Sequence, residues 1–342
     1  MNGRANVGAG HSRVAALSVA LFSVLVLLTV LEGGFRFTRY LVRGPSFDSM
    51  VDDAELGWVH NIRRPTVTRA NSCGERVVTL PPPNPYILRY PRSADGTRVL
   101  FLGDSSTHAH EVSTGAAYYD VVEAMGRGRY SVWAAGAGGY GSLQEYLLLE
   151  KIYDEVRPEI VVWQLDSNDV ANNVYRLDRD TILNNVQPRP YLDPASGAIE
   201  LRAPGLFVLR ISLGARFVLS RVVALDRTYN LGMIDTMNRW LGPPPNERPA
   251  LIRQGLQVLD HVVSEAVRRH PQTRYAGFAA DSLEDQGYAG IFSRNGSVYW
   301  PNFSDRVRAG AGRTDCAPWD SHWNHIGNRV AGQLLVDLLS GR

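Results

Sequence analysis

Apolar positions fall along this chain in three regimes. From Val14 to Leu31 no charged residue interrupts the run, and about 18 such positions approach the length a helix needs to cross a bilayer. Residues 36–97 lose all sustained periodicity: proline and arginine are frequent, and PPPNP at 81–85 breaks any regular element. Beyond them, short apolar runs alternate with segments of helical spacing. RVLFLG (98–103), YSVWAAG (130–136), EIVVWQL (159–165) and RYAGFAA (274–280) read as strands. AAYYDVVEAM (116–125), SLQEYLLLEKIYDEV (142–156), ALIRQGLQVLDHVVSEAVRR (250–269) and HIGNRVAGQLLVDLLS (325–340) read as helices. The strand runs are continuous rather than alternating, as in strands covered on both faces, so the pattern predicts β-α-β units and a parallel sheet. The fold class is α/β, a three-layer α/β/α sandwich.

Residues 170–245 break this rhythm with NNVQPRPYLDP, the apolar stretch LFVLRISLGARFVLSRVVAL and the breaker GPPPNERP, and read as an insertion beside or over the sheet. Arg210, Arg216 and Arg221 punctuate the apolar stretch, which makes it an amphipathic helix rather than a second membrane span. The expected organisation is an N-terminal tail (1–13), a transmembrane anchor (14–35), a linker with an irregular extension (36–97), and one α/β domain (98–342) carrying the insertion at about 170–245.

Charge changes this picture little. The 36 basic and 34 acidic residues nearly cancel, and all the basic ones except Lys151 are arginine, a composition that suggests coding bias; no basic cluster is interleaved with aromatics, so a nucleic-acid surface is not expected. No A-x-A-like cleavage site follows the N-terminal run, which favours an anchor over a cleaved signal peptide. Arginines flank the run on both sides, Arg4 and Arg13 before it and Arg36, Arg39 and Arg43 after it, so charge alone does not orient it. Cys73 and Cys316 are compatible with one disulfide in an oxidising compartment and equally with two buried thiols, and cannot by themselves build a structural zinc site.

The candidate chemistry sits where the strands end. In open parallel sheets ligands bind beyond the carboxyl ends of the strands, and GDSST places Ser105 there, with Gly103 for the tight turn and Asp104 or Ser106 as a helix cap. A serine nucleophile needs a base, the base an orienting acid, and the oxyanion needs donors. WDSHWNHIGN offers Asp320 and His322 before the last helix, AAGAGGYG offers Gly139, and QLDSNDV offers the amide of Asn168. Taken singly, GDSST is equally a turn with a capping serine. His108 and His110 read as exposed first-turn residues that could alternatively line an acyl pocket, and Tyr140, Tyr146 and Trp163 as core or pocket wall.

The four blocks FLGDSST, AAGAGGYG, LDSND and WDSHWNHIG, in that order over residues 98–340, resemble the SGNH/GDSL hydrolase family, and DDAELGWVHN (52–61) and NSCGERV (71–77) resemble the N-terminal extensions of its membrane-anchored bacterial members. The resemblance implies a flavodoxin-like sheet, with Ser105 as nucleophile, His322 as general base and acid, and Asp320 holding the imidazole. The N–H groups of Ser105 and Gly139 and the amide of Asn168 would form an oxyanion hole. Asp166 stands where the family has glycine, which would narrow or acidify the crevice; the acid and histidine are spaced D-x-H, leaving His325 as a rival base; Asp104 and Asp169 fall in supporting positions. The implied activity is ester hydrolysis through an acyl-serine on a carbohydrate or cell-envelope substrate, with no cofactor or metal, by an anchored enzyme whose catalytic domain is periplasmic or extracellular. An O-acyltransferase of a surface polysaccharide, or a non-catalytic glycan-binding protein on the same fold, stands beside it.

Overall fold

The computed structural model of the chain describes residues 7–43, 49–179, 187–193, 196–204, 212–229, 231–281, 285–310, 312–317 and 320–341. An N-terminal helix, α1 (Val7–Arg43), outruns the uncharged stretch at both ends. Within it Ser18–Thr38 is the one described segment long and apolar enough to cross a membrane, and its large side chains, among them Phe22, Leu27 and Leu31, stand exposed.

The segment expected to be a linker and an irregular extension instead forms two short antiparallel hairpins, β1 (Met50–Asp53) with β2 (Gly57–His60) and β3 (Val67–Ala70) with β4 (Arg76–Thr79). The first belongs to the core. Trp58 is fully buried, its ring lies 5.4 Å from that of Tyr140, and its carbonyl accepts from the Tyr140 hydroxyl at 2.5 Å.

The central sheet starts at β5 (Thr97–Gly103). It continues through α2 (Ser105–His108), α3 (Tyr118–Gly126), β6 (Tyr130–Gly136), α4 (Ser142–Val156) and β7 (Ile160–Leu165). Beyond α5 (Ser167–Asn172) and α6 (Tyr175–Asp178), the insertion supplies the hairpin β8 (Arg189–Leu192)–β9 (Ile199–Arg202) and the helices α7 (Leu213–Tyr229) and α8 (Met233–Leu241). Then come α9 (Arg248–Arg269), β10 (Arg274–Ala279), α10 (Asp285–Arg294), β11 (Val298–Tyr299), α11 (Phe303–Arg308), the small hairpin β12 (Asp315–Cys316)–β13 (Asp320–Trp323), and α12 (His325–Leu339).

Five parallel strands lie in the order β11-β10-β7-β5-β6, one more than the apolar runs predict, because β11 is only two residues long. The continuous apolar runs have the expected cause. Leu100 and Leu102 of β5 pack with α4 and α9 on one face, while Val99 and Phe101 pack with α3 and α12 on the other. The chain leaves β5 for β6 on one side and returns to β7 on the other, so β5 and β7 flank the topological switch point of a flavodoxin-like sheet.

The insertion is tied at two places. Arg189 pairs with Asp178 at 2.7 Å, both buried, and Glu32 of α1 accepts from Leu213 N–H, Gly214 N–H and the Ser212 hydroxyl at the start of α7. Of the apolar stretch 206–225, residues 206–211 lie outside the described residues, and 213–225 belong to α7.

Candidate active site

The loop after β5 begins with a close approach of strands. A Cβ on Gly103 would lie 2.4 Å from Gln164 Oε1, and one on Gly136 1.9 Å from the Gly103 carbonyl, so only glycine lets β5 and β6 end side by side. The chain then turns into α2, where Asp104 accepts from Ser106 N–H and Ser105 projects into a cleft. On β13 the Asp320 carboxylate accepts from the His322 backbone N–H at 2.9 Å and from His322 Nδ1 at 2.5 Å, and His322 Nε2 stands 2.7 Å from Ser105 Oγ. This fixes the ring as the Nδ1–H tautomer, with Nε2 free to accept the serine proton.

The loop that carries His322 is held from behind. Asn324 accepts from Ile326 and Gly327 N–H and donates to the Arg313 and Asp315 carbonyls, and Trp323 packs among Tyr118, Phe278 and Phe303. Cys316 pairs with Asp320 across the small hairpin and is bonded to Cys73, which realises the disulfide option. Beside Cys73, the Ser72 hydroxyl donates to Asp320 Oδ2 at 3.2 Å. Ser72 was not singled out from sequence: its only signal there was its place in NSCGERV.

The electrostatics suit proton transfer. Burial alone would raise Asp320, but the hydrogen bonds and charge of His322 outweigh it and hold the carboxyl well below its ordinary range. Burial would likewise lower His322, and the Asp320 hydrogen bond and charge reverse this, so the imidazole is raised above its usual value.

The remaining expected residues divide. Gly139, in a left-handed conformation at φ +80, and Asn168 line the same cleft as Ser105, and Asn168 donates to Asp104 Oδ2 at 3.0 Å. Asp104 and Asp166 lie directly beneath. Asp166 accepts from Ser106 Oγ at 3.0 Å, and its carboxyl is pushed well above the usual range by burial and then by the charges of Asp104 and Asp281. It therefore lines the cleft as a carboxyl whose burial favours its protonated form. Asp169 accepts from Asp166 N–H at 2.7 Å in a buried turn. His325 is not brought to Ser105: its Nδ1 pairs with Glu75 at 2.8 Å in a half-exposed position.

His108 and His110 are not the exposed residues expected. Both line the cleft, and with His60 and His322 they form a row of imidazoles with ring separations of 4.8, 6.0 and 5.2 Å. Burial depresses His60 to about 4 and carries His108 well below its ordinary value, keeping both neutral. Gln164 was also missed. Its amide oxygen accepts from Asp104 N–H, Thr107 N–H and the Thr107 hydroxyl, tying the end of β7 to the serine loop. A glutamine inside the otherwise apolar EIVVWQL was the available signal, since a buried amide must be hydrogen-bonded.

No family model matches the chain, and no curated protein matches it. Solved structures do. The chain is similar to TesA, with 14% identity over 70% of this chain and 97% of that one and a TM-score of 0.39. It is similar to the acetyl xylan esterase Est2A of Butyrivibrio proteoclasticus, with 12% identity over 73% of this chain and 65% of that one and a TM-score of 0.39. The esterase EstA of Pseudoalteromonas sp. gives 11% identity over 72% of this chain and 98% of that one, with a TM-score of 0.41. Likenesses this faint assign no role to any residue.

Proposed function

We propose that this protein is an SGNH-type serine ester hydrolase, and the observation that carries the reading is the hydrogen-bonded series Ser105–His322–Asp320 at the switch point of the sheet. Ser105 Oγ attacks the ester carbonyl as its proton passes to His322 Nε2, and Asp320 stabilises the imidazolium so formed. Negative charge gathers on the carbonyl oxygen, toward which the N–H groups of Ser105 and Gly139 and the second amide hydrogen of Asn168 serve as donors. The tetrahedral species collapses, and His322 returns the proton to the departing alkoxide. Water then repeats the sequence on the acyl-serine, giving the free acid and the original serine. The acyl group is borne by a carbohydrate or other cell-envelope molecule. α1 anchors the enzyme in the membrane, with the catalytic domain on the oxidising side where Cys73 and Cys316 can bond.

The test is turnover of a short-chain p-nitrophenyl ester together with labelling by a fluorophosphonate. Ser105→Ala is expected to lower kcat by about 10³-fold or more and to abolish labelling. Activity near that of the unaltered protein would remove Ser105 from the mechanism.

A further inference from the structure

We propose that the cleft contains an anion subsite built on Arg64, so that the ester the enzyme takes is carried by an acidic saccharide whose carboxylate pairs with that guanidinium; this rests on the ester hydrolase reading and names its substrate class.

Arg64 lies in the turn that follows β2, a turn fixed by Asn61, whose side chain accepts from Arg63 N–H at 3.0 Å and whose carbonyl accepts from Arg64 N–H at 3.3 Å. One terminal nitrogen donates to the Leu80 carbonyl at 2.9 Å, and the side chain lines the same cleft as Ser105 and His322. Each of the other arginines along that cleft has a carboxylate: Arg69 has Glu111 at 3.8 Å, Arg89 has Asp120 and Glu123, Arg189 has Asp178, and Arg308 has Asp305 at 3.4 Å. Arg64 has none among the described residues, and its Nε is closed off from solvent with no acceptor.

A guanidinium does not shed its proton to relieve this, so a half-buried cation with no counter-charge has a standing demand for an anion. Burial and the nearby charge of Arg69 both act against its charged form, which sharpens the demand. The acids along the cleft do not meet it: Asp120 is engaged by Arg89, and neither Asp166, which accepts from Ser106 Oγ, nor Asp281, which accepts from Ser167 N–H, forms an ion pair with Arg64.

The position suits a substituent near the scissile ester. Arg64 shares the cleft with His108, whose ring lies 4.8 Å from that of His60 at the end of β2, four residues before Arg64. His108 in turn borders the nucleophile: a Cβ on Gly138 would lie 3.5 Å from His108 Nδ1 and 3.9 Å from Ser105 Cβ. The cleft holds about 1100 Å³, more than an acyl group alone requires and enough for linked sugar rings. A planar carboxylate matches the fork of an arginine.

The experiment compares a mono-acetylated methyl glucuronide with the matching neutral glucoside and with the glucoside phosphate monoester. The expected kcat/KM ratio of glucuronide to glucoside is about tenfold or more, shrinking with added salt, and Arg64→Gln is expected to reduce that ratio roughly tenfold or more. A ratio near one, a ratio untouched by Arg64→Gln, or a preference for the phosphate monoester would each overturn the proposal. Titration of trigalacturonate into Ser105→Ala and into Ser105→Ala with Arg64→Gln reads the subsite without turnover. Binding lost with the glutamine supports the subsite even if every ester proves inert, which would refute only the hydrolase reading; equal or absent binding overturns it.

Discussion

Asp320 receives three donors, two from His322 and one from Ser72, and this predicts how the base responds to pH. The imidazole must be neutral to take the serine proton, so kcat/KM falls as pH drops through the His322 pKa. Asp320 lifts that pKa above the ordinary 6.5, and Asp320→Asn, lacking the charge, is expected to shift the acid limb to lower pH while reducing kcat. A pH–rate profile of both proteins checks this. Ser72→Ala leaves the pair intact but frees one carboxylate oxygen, and is expected to lower kcat about three- to tenfold with KM little changed. His322→Ala should match Ser105→Ala, while His325→Ala should retain activity within about twofold, because His325 faces Glu75. Ser105 and Asn168 were legible as candidates because they follow strand ends, and His322 because it stands two residues after Asp320 in a segment just before the last helix. Ser72 was not, since it arrives from a segment with no periodicity, and the upward shift of the Asp166 carboxyl depends on burial that no spacing reveals.

At the scale of elements, the approach of α12 to α3 on one face of the sheet depends on a single small residue. A Cβ on Gly332 of α12 would lie 2.5 Å from Val121 Cβ and 2.7 Å from the Tyr118 carbonyl of α3. Gly332→Val is therefore expected to destabilise the protein by about 2–4 kcal/mol, measured as a lowered denaturant midpoint, because α12 must move off α3. The same shift would loosen Asn328, which accepts from Tyr118 N–H at 2.9 Å, and with it the start of the helix behind the loop that carries His322. The long strands and helices were readable from their apolar runs, each buried on both faces or along one stripe. The hairpins before β5 were not: their strands are four residues long, and β3 and β4 are largely exposed, so their pattern carries almost no signal. Trp58 and Leu56, buried against α4, show that this segment is part of the fold rather than a tether.

For the whole molecule, the disulfide closes a sequence separation of 243 residues and joins the hairpin region to the loop that carries His322. In the chain-entropy limit such a closure stabilises by about 5 kcal/mol. Cys73→Ser with Cys316→Ser is expected to lower the Tm and, by releasing Ser72 from Asp320, the turnover as well; paired melts and rates with and without reductant check this. Removal of residues 1–43 is expected to abolish detergent partitioning while ester turnover persists, since no cleft residue comes from α1. The order of synthesis gives the same bond a different meaning. Ser105 leaves the ribosome 217 residues before His322, and Cys73 243 residues before Cys316. A nascent chain thus carries Ser105 without its imidazole and Cys73 without its partner thiol until more than 200 further residues have been made. Under the proposed mechanism, competence arrives in one event, when the hairpin carrying Asp320 and His322 docks, so a protein cut before residue 315 should keep the strands of its central sheet and have no hydrolytic function at all.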